Sequence, residues 1–353
     1  MNIPPPIVLA NPAGFVPLVR PLAPSVAAFC VAPAVFGGRA VQPPVFKLPQ
    51  AARHPLEGRS LTSTDRKTLG AGAGGQVFRC TLEGARYIVK TTEKPDQRLM
   101  FDNEIDTFRR LKPHANICAP VAVATVDGKR SMLFRSDTVP TSTIADRAAS
   151  LPPNDQLAAL QAYMRDLLTG LLAMQGQGFT HNDVKPANSV FNEKTHRFQL
   201  IDMGLATVAS PHDTRSPRQV LERQASRHGD PAFIPPEIRE PASGNKLLTA
   251  EQTLQSMGVY SVGCLLKDWL DQADERFEKV HGCKPSATLA AGDPDVKAWM
   301  DKRDSLGGLA RQMLKTDPGE RPLLKAALRV VTPTSIGERA AERKVLARLA
   351  ATT

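Results

Sequence analysis

The sequence predicts an α+β protein of two lobes, a small β-rich one followed by a larger helical one. Short β-like runs with one amphipathic helix fill the stretch from 61 to 136, whereas leucines at spacings of three and four dominate from Leu157 onward. A chain of 353 residues with 42% hydrophobic and 23% charged residues can bury a sizeable core, which excludes wholesale disorder and a coiled-coil rod. A sheet-rich lobe joined to a helical one leaves a cleft between them, and ligand sites favour such junctions.

Residues 1–60 hold twelve of the 30 prolines, and the first acidic residue is Glu57. Proline removes backbone donors and blocks helix and central strand alike, so a Pro/Ala-rich leader without regular structure is expected there, with an address or partner-docking segment as the functional alternative. The small lobe is placed at 61–136. Gln76–Thr81 and Ala85–Thr91 read as a hairpin around Leu82-Glu83-Gly84. Gln97–Leu111 reads as a helix with Leu99, Ile105, Phe108 and Leu111 near one face. Ile117–Thr125 and Arg130–Arg135 read as strands flanking the Asp127-Gly128 turn.

The large lobe is placed at 137–332. Leu157, Leu160, Met164, Leu167, Leu168, Leu171 and Leu172 predict a long buried helix opening near Pro152-Pro153-Asn154 and ending by Gly176 or Gly178. A short hairpin, Ser189–Phe191 and Phe198–Ile201, comes next. Helical patterns then run over Leu254–Leu270, Val296–Met300, Leu306–Leu314 and Leu323–Val331. A helical tail at 333–353 places Ile336, Ala340, Val345, Leu346 and Leu349 among charges and is expected to pack on the large lobe rather than on a membrane.

Forty-five Lys and Arg against 35 Asp and Glu give +10, a surface that favours polyanions, acidic partners or anionic membrane faces. The cations are scattered and no aromatic-rich basic module appears, so no specific nucleic-acid function is expected. Five widely spaced cysteines without a CxxC pair argue against a disulfide framework and a zinc site. No uninterrupted apolar stretch approaches the roughly 20 residues that span a bilayer, and the start lacks the basic region of a secretory signal. A soluble, intracellular protein without a membrane span is expected.

Gly70-Ala71-Gly72-Ala73-Gly74-Gly75-Gln76-Val77 places glycines at 70, 72 and 75 before a valine, where backbone can approach phosphates closely. Alone, the pattern also fits a Gly/Ala-rich linker or a dinucleotide site. The strands that follow argue against a Rossmann unit, and the missing Gly-Lys-Ser/Thr argues against a Walker loop. Tyr87-Ile88-Val89-Lys90 ends an apolar strand in an ammonium that could clamp phosphate oxygens, and Glu104 could hold it extended. Taken singly, each reads as a surface charge.

The decisive segment is His181-Asn182-Asp183-Val184-Lys185-Pro186-Ala187-Asn188, followed by Ile201-Asp202-Met203-Gly204. These residues resemble the catalytic and metal-binding loops of eukaryotic-like Ser/Thr protein kinases of the non-RD type. The resemblance extends to Gly229–Glu237, to Val259–Gly263 and to Asp317-Pro318-Gly319-Glu320-Arg321-Pro322, and covers about 64–332. It implies a protein-kinase-like fold and transfer of the γ-phosphate of ATP, with Mg²⁺ or Mn²⁺, to Ser or Thr of a protein substrate. Asp183 then orients the acceptor hydroxyl, Lys185 and Lys90 meet phosphate, Glu104 holds Lys90, Asn188 and Asp202 ligate the metal, and Gly70, Gly72, Gly75 and Val77 cover the nucleotide. His181, with Phe108 and Met203, is a spine residue by the same resemblance, and Glu237 pairs with Arg321 in the core.

Three departures stand out. Asn182 occupies the place of the arginine that receives a segment phosphate. Asp230 replaces a threonine near the catalytic Asp, and Gly258 replaces an aspartate that tethers the catalytic loop, which predicts a more mobile loop. The abbreviated motifs and the leader also resemble bacterial effector kinases, virulence proteins delivered into a host cell by a non-Sec, type III route and acting on a host protein. The competing classes are a pseudokinase-like scaffold and a small-molecule phosphotransferase.

Overall fold

The computed structural model describes residues 54–72, 75–92, 94–208, 231–239, 250–283 and 294–351. The small lobe is a six-stranded sheet built from β1 (Ser60–Leu61), β2 (Thr64–Gly72), β3 (Gly75–Leu82), β4 (Ala85–Thr91), β5 (Ala122–Val126) and β6 (Lys129–Arg135), in the order β1-β5-β6-β4-β3-β2. β1 pairs with β5 in parallel and every other pair is antiparallel. Glu83 and Gly84 close the β3–β4 hairpin, and Asp127 and Gly128 the β5–β6 hairpin. All four residues have positive φ, the conformation whose twist suits a two-residue turn.

Alternation along the strands divides the sheet into two faces. Phe78, Val89, Leu133 and Ala122 bury one face with Leu56 and Leu61. The other face carries Met132, Phe134, Ile88 and Val123 under α1 (Pro95–Arg110), which contributes Phe101 and Ile105. Leu56 is 4% exposed, Glu57 accepts a hydrogen bond from the Val123 N–H, and Gly58 N–H donates to Val123 O. The sheet lobe therefore draws on residues from 54 onward, earlier than the compositional boundary at 61.

Two readings of this lobe need correction. Leu99 is 80% exposed, because six residues of helix separate it from Ile105 by about 240° and place it on the far side. The buried face runs instead through Phe101, Glu104, Ile105 and Phe108 toward Leu111. Residues 117–121 lie outside β5. Pro120 removes a ladder donor there, and Ile117 makes a lone bridge to Leu200 while the Cys118 N–H donates to Leu200 O. That stretch ties the small lobe to the large one.

In the large lobe, β7 (Thr138–Pro140) and α2 (Thr141–Ala148) lead into α3 (Pro153–Gln175), which has Pro at its first turn. Leu157, Leu160, Met164, Leu167 and Leu168 are fully buried, which makes α3 the axis of the lobe. β8 (Phe179–Thr180) precedes the hairpin of β9 (Ser189–Asn192) and β10 (Arg197–Leu200), to which β7 adds a third strand. β11 (Thr207–Val208) pairs back on β8. After α4 (Pro236–Arg239) come α5 (Ala250–His281), α6 (Pro294–Met313), α7 (Leu324–Val330) and α8 (Ile336–Ala350).

The runs at 296–300 and 306–314 belong to the single helix α6. The polar turns between them keep their helical bonds, and Arg303 pairs with Asp274 of α5. The Arg321 guanidinium holds the Glu237 carboxylate through two bonds, 2.6 and 2.7 Å, with both side chains buried. Among the described residues, Cys80, Cys118 and Cys264 are free thiols, and no helix is long and apolar enough to cross a membrane.

Candidate active site

Lys90 lies on β4 opposite Val77 of β3 and Met132 of β6, so the three side chains share the sheet face that looks toward α1 and the large lobe. Glu104 sits on the buried side of α1, and its carboxylate accepts from Lys90 Nζ at 2.7 Å. Asp202, just after β10, meets the same ammonium at 3.1 Å. Burial opposes a charge on Lys90, but the carboxylates of Glu104 and Asp202 outweigh it and hold its pKa above the usual lysine value. Burial pushes the Glu104 carboxyl up to about 7, against the pull of Lys90 and with Asp202 adding to the rise. Burial also raises Asp202, but Lys90 prevails and keeps it below the ordinary aspartate value.

The second cluster lies on the loop between β8 and β9. Asn188 Nδ2 donates to Asp183 Oδ2 at 2.6 Å and to Asp183 O at 2.8 Å, and Lys185 Nζ meets the same Oδ2 at 3.0 Å. Pro186–Asn188 form a single 3₁₀ turn, the local reason that an amide five residues on returns to the aspartate. The Ile201 N–H donates to Asn188 O at 3.0 Å and joins this loop to the Asp202 loop. Lys90, Glu104 and Asp202 thus form one group and Asp183, Lys185 and Asn188 another, and the loops of Asp202 and Asp183 adjoin.

His181 is buried between them. Its Nε2 lies 2.9 Å from Ile201 O and its Nδ1 accepts the Asp183 N–H at 3.3 Å, so both nitrogens are used by a neutral ring. Burial lowers its pKa below the usual histidine value. Met203 is fully buried in the large-lobe core, and Phe108 packs against the same core.

A Cβ added at Gly258 would stand 3.6 Å from Leu171 Cδ1, so the position is apolar and, as a glycine, supplies no side-chain tether. The loop that carries Asp183 is held at Asn182, whose Nδ2 donates to Leu205 O and to Thr207 Oγ1, each at 2.9 Å. Asn182 and Asp202 have φ of 66° and 62°, the left-handed region that Asn and Asp tolerate better than most side chains. Asp230 lies outside the described residues.

Of the glycines, Gly75 is required by the fold. Its φ is +121°, and a Cβ would stand 2.3 Å from Thr91 O. Gly70 is different, since a Cβ there meets nothing within 4 Å and its φ is ordinary. Gly72 ends β2, and residues 73–74 between it and Gly75 are outside the description. A cavity of about 410 Å³ lies away from all of these residues, bordered by Arg86, Tyr87, Arg135, Asp137 and Lys194.

Sequence reasoning passed over Asn103, whose Nδ2 lies 2.8 Å from Gly204 O, 3.1 Å from Ala206 O and 3.4 Å from Met203 O. The only local signal is its place beside Glu104; its partners lie a hundred residues away.

A sheet lobe with a lysine held by a helical glutamate, set against a helical lobe with Asp–Asn and Asp loops, defines a two-lobed phosphotransferase architecture. The family model for the protein kinase domain matches residues 63–331, and the chain belongs to that family, as a kinase of the eukaryotic-like Ser/Thr type. It is 25% identical over 272 residues to the maternal embryonic leucine zipper kinase of Danio rerio, covering 74% of this chain and 36% of that protein. It is 30% identical over 172 residues to the probable serine/threonine-protein kinase pknA2 of Bifidobacterium longum, covering 45% and 21%. The chain thus spans about a third or less of the length of these relatives.

Proposed function

We propose that this chain transfers the γ-phosphate of ATP to a Ser or Thr hydroxyl of a protein. The observation that carries the reading is Lys90, held at once by Glu104 and Asp202 in the cleft beside the Asp183 loop. An ammonium fixed from both sides is preorganised to receive phosphate oxygens. Asp202 and Asn188 offer oxygen ligands alone, and the Nδ2 of Asn188 is committed to Asp183, which leaves Oδ1 for a cation. These residues fit Mg²⁺ or Mn²⁺, which when bound neutralises charge on the phosphates. Gly70 answers to no protein neighbour, which suits a backbone that a phosphate approaches.

Asp183 orients the acceptor hydroxyl and takes its proton as the new O–P bond forms and the bond to ADP breaks. Lys185, 3.0 Å from Asp183, supplies positive charge beside the transferring group. The main terms in such a reaction are positioning and charge neutralisation, and every residue they need is present. Delivery into a host cell by a type III route rests on the composition of residues 1–60. A reporter fused to them should leave a bacterium with that secretion system and stay inside one without it.

Transfer from radiolabelled ATP by the purified protein, alone and with cell lysate, tests the central reading. Asp183→Ala should abolish transfer and keep nucleotide binding, whereas Asp202→Ala should remove the metal-dependent part of binding. Full transfer by both variants overturns the assignment, and a wild type that binds ATP without transferring phosphate makes the scaffold reading the better one.

A further inference from the structure

The carbonyls of Met203, Gly204 and Ala206 converge on one atom, the Asn103 Nδ2. They belong to a tight turn closed by the Ala206 N–H on Met203 O at 3.1 Å. Carbonyl dipoles aimed at one point repel one another unless a donor stands there, and α1 supplies that donor. The carbonyl skipped by Asn103, Leu205 O, is taken from the other side by Asn182. Two asparagine amides, one from each lobe, therefore hold the segment that follows Asp202. In each case the amide can face only one way, because its oxygen would meet a carbonyl oxygen if turned.

Asn103 and Glu104 are neighbours on α1, and both act on the Asp202 loop. Glu104 reaches it through Lys90, which also holds Asp202 Oδ1, and Asn103 reaches it through the backbone. A displacement of α1 would thus break the Lys90–Glu104 pair and release the turn together. We propose that Asn103 is a positioning residue, which ties α1 to the Met203–Ala206 turn so that Asp202 is set for its metal whenever Lys90 is paired. The proposal rests on the transfer reading for its purpose, but its physical content is the restraint on the turn.

Asn103→Asp keeps the shape and turns the donor into an acceptor; Asn103→Ala removes it. Binding of a non-hydrolysable ATP analogue is measured with and without Mg²⁺, together with hydrogen exchange of the amides at 203–207. In Asn103→Asp, metal-free binding should match the wild type while the gain from Mg²⁺ falls about tenfold at about pH 8. Exchange at 203–207 should quicken in both variants. Asp106→Asn, on the exposed side of the same helix, should change neither quantity. Should the aspartate variant not fold, the alanine variant carries the same measurements. A folded variant with wild-type Mg²⁺ gain and wild-type exchange overturns the proposal. A wild type that binds no nucleotide overturns the transfer reading instead, and the exchange rates still decide whether Asn103 restrains the turn.

Discussion

At the scale of single residues, the Glu104 proton links chemistry to pH. The folded chain holds it up to about 7, whereas an unfolded glutamate releases it near the ordinary value of 4.5. The stability Glu104 contributes is therefore present below about 4.5 and is lost as pH rises to about 7. In the folded chain the charged pair with Lys90 forms around pH 7, so activity should rise as this stability term falls. A profile of kcat/KM against pH should show an acid limb near 7, and Glu104→Gln should lower the rate and flatten the limb. His181 is not a candidate for it, since burial keeps that ring neutral. A limb that survives in Glu104→Gln would assign it to another group. The glycines make a second contrast. Gly75→Ala should destabilise the fold by roughly 1–3 kcal/mol, because its φ is strained for any side chain and Thr91 O blocks the Cβ. Gly70→Val should leave the denaturation midpoint within about 0.5 kcal/mol of wild type, as for a substitution that touches nothing, while raising the KM for ATP. Equal effects of the two substitutions on stability would contradict the distinction.

Among the elements, α8 lies beyond the segment matched by the family model yet is part of the large-lobe core. A capping box, Ser335 with Glu338, starts it. Val345, Leu346 and Leu349 are buried, whereas Ile336 is 78% exposed. Glu342 pairs with Arg165 of α3, and Arg147 of α2 donates to Leu349 O while also holding Glu193. Each of the three apolar side chains contributes roughly 1.5–3 kcal/mol by burial, a large share of the roughly 5–15 kcal/mol of net stability typical of a domain. Removing residues 333–353 should leave little folded protein at about 37 °C. Leu346→Ala should cost about 2–5 kcal/mol in urea unfolding. A truncated chain with an unchanged midpoint would show that α8 is only an appendage.

For the whole molecule, the two lobes meet through a fixed set of bonds that do not require a phosphate. Asn182 stands where an arginine would receive one, and its amide is already spent on Leu205 O and Thr207 Oγ1. A phosphate orders a loop by meeting cations, and an amide offers it no charge. The Glu237–Arg321 pair is set by folding. Dephosphorylated protein, verified by intact mass, should therefore retain its initial rate. A fall beyond about tenfold, near 1.4 kcal/mol of transition-state stabilisation, that reverses as phosphate returns would show that a switch exists and uses a different receiver.

Much of this protein could be read along the chain, and the reason is locality. Asp183, Lys185 and Asn188 fall within six residues, so one 3₁₀ turn brings them together wherever the loop sits. α3 is legible because its leucines repeat over 23 residues, and the hairpins because their turns carry Asp-Gly or Glu-Gly. The short α2 and β7 left no periodic trace. Leu99 looked like a core residue until its helix had a sheet to face. Read along the chain alone, the residues already give the family, the two-lobed order of elements and the candidates for meeting phosphate and metal. The choice of buried face on α1 and α8, and the grip of Asn103 and Asn182 on the turn after Asp202, came from the folded chain alone. Those contacts join groups twenty to two hundred residues apart, and an amide or a leucine carries no mark of which distant neighbour will satisfy it.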